Sequence, residues 1–146
     1  MPGADAPVVS LVLGAPAPPP DVAARHFAAK LALETDPSDV NADMAAGRGG
    51  FVVVDARSCD AYREAHIPGA LSLPQREITE SSVSQLSIDD VIVVYCWGPH
   101  CNGAARGAVK LASLGFRVKE MIGGIDGWRR EGLPVATGSP SRHDLA

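Results

Sequence analysis

The fold of this chain is decided by residues 91–114, which read VIVVYCWGPHCNGAARGAVKLASL. The first five residues are consecutively apolar and mostly β-branched, which predicts a strand buried on both faces. A short polar loop follows, and from Gly103 the apolar side chains recur at helical spacing as far as Leu114. Gly115 then predicts a left-handed helix end. A buried strand that leads through a loop into a helix is typical of an α/β protein with a parallel sheet.

The same alternation of strands and helices extends outward from this stretch. Asp36 followed by Pro37 predicts a capped helix that runs to Ala46, and Asp21 predicts the cap of a helix over 21–33. The other predicted elements are a strand over 51–54 that ends at Asp55, a helical turn over 59–64, strands over 70–73 and 118–122, and a short helix over 125–130. Together they predict a mainly parallel sheet with helices on both faces.

Length and composition predict one soluble domain. The chain has 146 residues, of which 46% are hydrophobic and 21% charged, an ordinary balance for a globular protein. We expect an extended Pro- and Ala-rich arm over 1–20, an additional helix over 21–35, the main domain over 36–136 and a flexible tail over 137–146.

Net charge, the length of the apolar run and cysteine content indicate the expected cellular location and exclude some classes of partner. A formal net charge of −4 argues against nucleic acid as a partner. The apolar run from Val8 to Leu13 is too short to span a bilayer and no basic residue precedes it, so neither a membrane anchor nor a signal peptide is expected. With three cysteines, one thiol at least stays unpaired within the monomer, and a reducing cytoplasm is the expected location.

Cys96 is the candidate nucleophile. In a parallel sheet, ligands bind beyond the carboxyl ends of the strands, and Asp55 and Cys96 both stand at such ends. Amide groups of the loop after Cys96 and of the following helix would favour a thiolate, so we expect Cys96 to be ionised near neutral pH. Gly98 and Gly103 would let the loop wrap round the sulfur. The alternative is a buried cysteine that acts as a small apolar residue.

Four segments resemble the signature motifs of rhodanese domains. They are VVVDAR at 52–57 continued by HIPGA at 66–70, VVYCWG at 93–98, GFRV at 115–118 and GGIDGW at 123–128. The likeness covers roughly residues 36–135, with the motifs in the family's order. It implies a rhodanese-like five-stranded sheet flanked by helices. It also implies a sulfurtransferase in which Cys96 carries sulfur as a persulfide.

The resemblance further implies what the protein binds. A small donor such as thiosulfate and a thiol or cyanide-like acceptor are expected, with a sulfur-accepting protein or a second copy as further partners. No metal and no organic cofactor are required. The implied substrate-binding loop comprises Trp97, Gly98, Pro99, His100, Cys101, Asn102 and Gly103.

This loop departs from the family's common pattern, Cys-x-x-Gly-x-Arg-Ser. Glycine stands two residues after Cys96 instead of three, Pro99 removes one amide donor, and Cys101-Asn102 replaces Arg-Ser. The missing arginine would attract an anionic donor. His100, Arg57 and Arg106 are the candidates to replace it.

Other residues have competing interpretations. Asp55 and Arg57 are expected to form a structural ion pair, with a direct role as the alternative. His66 is expected to make a structural hydrogen bond, and Trp128 to lie in the core. Cys96, His100 and Cys101 give only a weak zinc signal.

Two further function classes remain open. Phosphatases and arsenate reductases of related folds close their cysteine loop with an arginine, but here the first arginine after Cys96 is Arg106, ten residues on and within the predicted helix. A non-enzymatic module that senses redox state or binds a partner through Cys96 and Cys101 is the second class.

Cys101 has no counterpart in the family pattern. If the loop curls, Cys101 can approach Cys96, attack its persulfide and form a disulfide. It could also protect Cys96 from over-oxidation. In the opposing interpretation, Cys101 only caps the helix and never meets Cys96.

Overall fold

The computed structural model describes residues 9–139, so the predicted arm over 1–20 and tail over 137–146 lie partly outside the described residues. The chain divides into two compact units, one ending at Lys30 and one beginning at Leu31. The first holds most of helix α1 (Pro20–Leu33), whose first turn includes Asp21. The helix begins at Pro20, one residue before Asp21, so the prediction that Asp21 precedes and caps the helix is wrong.

The second unit is built on a five-stranded sheet, as predicted. Its strands are β1 (Glu34–Thr35), β2 (Phe51–Asp55), β3 (Leu71–Ser72), β4 (Val91–Tyr95) and β5 (Arg117–Met121). They lie in the order β1-β5-β4-β2-β3, and every pairing is parallel. Strand β4 is therefore central, with two neighbours whose carboxyl ends reach the same edge as its own.

The remaining helices are α2 (Pro37–Ala45), α3 (Cys59–Glu64), α4 (Gly103–Ser113) and α5 (Gly124–Arg130), with a 3-10 turn at Gln75–Glu77. Asp36 caps α2 as predicted, since its carboxylate accepts a hydrogen bond from the Asp39 amide at 2.9 Å. None of the helices between residues 9 and 139 is both long and apolar enough to cross a membrane.

Alternate residues of β4 serve two separate cores. Ile92 and Val94 pack with Leu111 of α4 on one face of the sheet. Val93 and Tyr95 pack with Trp128 of α5 on the other face. Because both faces are covered, β4 is held rigidly, and the residue that follows it, Cys96, leaves a fixed strand end.

Candidate active site

A tight turn brings two thiols together at the end of β4. The Cys101 amide donates a hydrogen bond to the Gly98 carbonyl at 3.1 Å, which closes a four-residue turn. Pro99 occupies the second position of this turn, where its fixed φ is favoured. As a result the sulfur of Cys101 lies 3.1 Å from the sulfur of Cys96, and both thiols are free. The interpretation in which Cys101 never meets Cys96 is therefore wrong.

Gly103 completes the surroundings of the two sulfurs. A β-carbon at this position would lie only 2.6 Å from the Cys96 sulfur and 3.5 Å from the Cys101 sulfur. The Gly103 amide donates a hydrogen bond to the Cys101 sulfur at 3.4 Å. The first residue of α4 therefore leaves room for Cys96 and at the same time holds Cys101.

The pKa shifts of the two thiols differ in direction from the sequence-based expectation. Burial, followed by the hydrogen bond with Cys101, raises the pKa of Cys96 to about 12, against the lowering effect of the Trp97 amide. Burial also opposes ionisation of Cys101, but hydrogen bonds from Cys96 and from the Gly103 and Trp97 amides outweigh it and lower the pKa of Cys101. The direction of both pKa shifts runs against the prediction that Cys96 is the ionised thiol. Of the two thiols in contact, Cys101 is therefore favoured to ionise first.

The first turn of α5 fixes the loop through backbone contacts that the sequence did not indicate. The Ile125 amide donates to the Cys96 carbonyl at 3.0 Å, and the Asp126 amide donates to the Trp97 carbonyl at 2.9 Å. This approach requires Gly124, whose φ is +57° and whose β-carbon would lie 2.6 Å from the Cys96 oxygen. The predicted turn at Gly123-Gly124 therefore has a second role, because it lets the first turn of α5 come close enough to orient Cys96.

A buried polar cluster braces the neighbouring strand ends. Arg57 and Asp55 form an ion pair at 2.7 Å with both side chains almost wholly buried. The Tyr95 hydroxyl donates to the Asp55 carboxylate at 2.6 Å and accepts from the Ile67 amide at 3.1 Å. The Arg57 guanidinium also stacks on the Trp97 ring, 4.5 Å from its centroid. These contacts are those of a structural ion pair, which is the interpretation that we expected for Asp55 and Arg57 from the sequence.

A cavity of about 700 Å³ opens onto the thiols from the side of α4. Arg76 and Arg106 line it, together with the carboxylates of Asp60 and Glu77. Asp60 is paired with Arg63 at 2.9 Å, and the Arg106 side chain donates to Asn102 at 3.0 Å. Arg106 was predicted as a replacement cation, but Arg76 was not, because it comes from the 3-10 turn that only the folded chain brings to Cys96.

A second cavity, of about 520 Å³, reaches the same two sulfurs from the side of α5. Its charged lining is acidic and consists of Asp36, Glu120 and Glu131. Burial, reinforced by Glu34, raises the pKa of Glu120. The first cavity thus presents two arginines beside two carboxylates to the thiols, whereas the second presents carboxylates and, among its described lining residues, no basic side chain. We call them the basic cavity and the acidic cavity.

The other predicted site residues divide between these cavities and the surrounding structure. Gly98 and Pro99 line the acidic cavity, and Asn102 and Gly103 line the basic cavity. Trp97 and His100 belong to neither lining. The buried His66 ring bonds to the Tyr62 carbonyl at 2.7 Å, an arrangement of the structural kind expected from the sequence. Within residues 9–139, no group of three or more His, Cys, Asp or Glu side chains could hold a metal ion.

Comparison with known proteins gives the family of this architecture. Residues 36–131 match the profile of the Rhodanese-like domain. Among solved structures, the BH2092 protein from Bacillus halodurans superposes with a TM-score of 0.80 at 50% identity, covering 82% of this chain and 87% of that one.

Two curated relatives carry different functional names. The HTH-type transcriptional regulator Rv0324 of Mycobacterium tuberculosis is 38% identical over 65% of this chain, which spans only 42% of the regulator's length. The thiosulfate sulfurtransferase GlpE of Coxiella burnetii is 33% identical over 54% of this chain and 72% of its own.

Proposed function

Because this chain belongs to the rhodanese-like domain family, we propose that it is a sulfurtransferase that carries sulfane sulfur as a persulfide on Cys96. The observation that carries the proposal is the position of the Cys96 sulfur. The sulfur lies at the end of the central strand β4, next to Gly103, which has no side chain to fill the space beside it. Both cavities reach this sulfur. The similarity to a thiosulfate sulfurtransferase supports the same assignment.

The basic cavity suits an anionic sulfur donor. Arg76 and Arg106 would attract a dianion such as thiosulfate and orient its sulfonate away from the thiols. The proton of Cys96 moves to the Cys101 sulfur along the 3.1 Å contact, which creates the Cys96 thiolate where the donor arrives. The thiolate attacks the outer sulfur of thiosulfate. The sulfur–sulfur bond of the donor breaks, and sulfite leaves with the bonding electron pair.

The second half-reaction returns the site to its starting state. A nucleophilic acceptor, such as cyanide or a thiolate, attacks the outer sulfur of the Cys96 persulfide. The Cys96–sulfur bond breaks, Cys96 leaves as a thiolate, and the proton held by Cys101 returns to it. The carboxylates of the acidic cavity would disfavour an anionic donor there, which leaves the basic cavity as its route to Cys96.

The contact between the two sulfurs favours a second candidate function, a thiol-based redox response. A peroxide could oxidise the Cys96–Cys101 pair to a disulfide without any sulfur transfer. One relative is named as a transcriptional regulator, although this chain matches less than half of it. In this alternative the domain would report oxidation to a partner and would have no sulfurtransferase activity.

Steady-state assays separate the two functions. The unmodified protein should form thiocyanate from thiosulfate and cyanide, and Cys96→Ser should abolish the reaction, because a hydroxyl does not replace the nucleophilic thiolate. Circular dichroism of the variant controls for folding. A protein that forms no thiocyanate but becomes a Cys96–Cys101 disulfide under peroxide would contradict the proposal and support the redox module.

A further inference from the structure

We propose that Cys101 is a resolving thiol that attacks the Cys96 persulfide and releases hydrosulfide, so that the protein can reduce sulfane sulfur at the expense of an external dithiol. This inference rests on the proposed sulfurtransferase function. It assigns a second activity to the same site, because the sulfur leaves as hydrosulfide instead of passing to an acceptor.

The geometry places Cys101 where an attacking thiol has to be. Its sulfur lies 3.1 Å from that of Cys96, and a disulfide requires about 2.05 Å, so the two sulfurs need to close by only about 1 Å. The Gly98–Cys101 turn and the Gly103 amide hold Cys101 in this position before any substrate arrives. Such positioning converts an encounter between two thiols into an intramolecular step, which can be faster by many orders of magnitude.

The step balances without an added proton or oxidant. After donor cleavage, Cys96 carries an anionic persulfide and Cys101 carries the proton that came from Cys96. The Cys101 sulfur attacks the inner sulfur of the persulfide, and the bond between the inner and outer sulfur breaks. The outer sulfur takes the bonding pair and the Cys101 proton, and it leaves as hydrosulfide. The persulfide's outer sulfur is reduced, and the two cysteines are oxidised to a disulfide.

An external dithiol closes the cycle. Both cysteines line both cavities, but Cys101 is half-buried whereas Cys96 is buried, so a reductant would attack the Cys101 sulfur. This attack releases Cys96 first and forms a mixed disulfide with Cys101, which the second thiol of the reductant then resolves. The reductant is oxidised to its own disulfide, and both cysteines are free for another donor.

A single-turnover experiment tests the inference. In a Cys59→Ser background, Cys96 and Cys101 are the only thiols of the chain. This protein and its Cys101→Ser derivative are mixed anaerobically with thiosulfate and no reductant. A sulfide electrode and intact-mass spectrometry follow the reaction. We expect the background protein to release one equivalent of hydrosulfide and to end two hydrogens lighter than its reduced form. The Cys101→Ser derivative should keep one added sulfur atom, with a persulfide lifetime about tenfold longer or more.

The outcomes distinguish the two proposals. If both proteins gain a sulfur atom and keep it equally long, or if hydrosulfide appears without a Cys96–Cys101 disulfide, the resolving role is overturned and the sulfurtransferase proposal stands. If neither protein gains sulfur or releases sulfite, the sulfurtransferase proposal fails, and the resolving role fails with it.

Discussion

Replacing Gly103 with alanine should suppress sulfur chemistry at Cys96 far more than it changes stability. The new methyl group would lie 2.6 Å from the Cys96 sulfur, whereas carbon contacts are comfortable at about 3.5–4.0 Å. Either the sulfur or the start of α4 must therefore move by roughly 1 Å. A displacement of that size at a reacting atom can lower a rate about a hundredfold.

The expected change in stability is small because two effects oppose each other. Overpacking costs about 1–3 kcal/mol, and alanine is favoured over glycine in helices by up to about 1 kcal/mol. Gly107→Ala is the matched control, since it lies in the same helix and its β-carbon would meet Ile78 and Val94 at an ordinary 3.5 Å.

The assay is the rate of sulfite release from thiosulfate, measured beside urea denaturation of both variants. We expect Gly103→Ala to lose about two orders of magnitude in rate and Gly107→Ala to keep the rate of the unmodified protein. Comparable rates for Gly103→Ala and Gly107→Ala would refute the argument that the space above the Cys96 sulfur is required.

Three further predictions concern protons, the polar brace and the donor. The lowered pKa of Cys101 favours its ionised form, the proton acceptor for Cys96, at pH values below the usual thiol pKa of about 8.5. The value of kcat/KM for thiosulfate should therefore rise with pH below about 8.5, because protonation of Cys101 at low pH removes the acceptor. Cys101→Ser should move this rise to higher pH. Asp55→Asn leaves the buried Arg57 without its counter-ion and should lower the free energy of unfolding by about 3–5 kcal/mol in urea titrations. A loss below about 1 kcal/mol would contradict the structural role of this ion pair. Arg76→Gln and Arg106→Gln should each raise KM for thiosulfate about tenfold with a smaller change in kcat, and an unchanged KM in both would remove the basic cavity as the donor site.

The local sequence predicted the fold where its signal was strong. The apolar run of β4 and the helical spacing of α4 fix a buried strand followed by a helix, and parallel topology then places Cys96 at a strand end. Strand β1 was missed because Glu34–Thr35 has only two residues and no apolar pattern. It forms a strand only because it pairs in parallel with β5 at the edge of the sheet.

The features of the site that depend on long-range contacts could not be predicted from the sequence. Arg76 reaches the cavity through a 3-10 turn whose position is set by the packing of its neighbours, and no local motif marks it. The contacts from α5 to Cys96 and Trp97 use backbone groups, which carry no side-chain signal. The pKa of each thiol depends on its burial and on the contact between the two sulfurs, and helix position alone includes neither of these effects.

The most direct test of the central claim asks which cysteine accepts the sulfur. Cys96→Ser and Cys101→Ser, both in the Cys59→Ser background, each retain a single thiol and are mixed with thiosulfate before intact-mass measurement. Our account predicts that the protein retaining Cys96 gains one sulfur atom and that the protein retaining only Cys101 gains none. A sulfur atom added to Cys101 in the Cys96→Ser protein, with none added to Cys96 in its counterpart, would contradict the account.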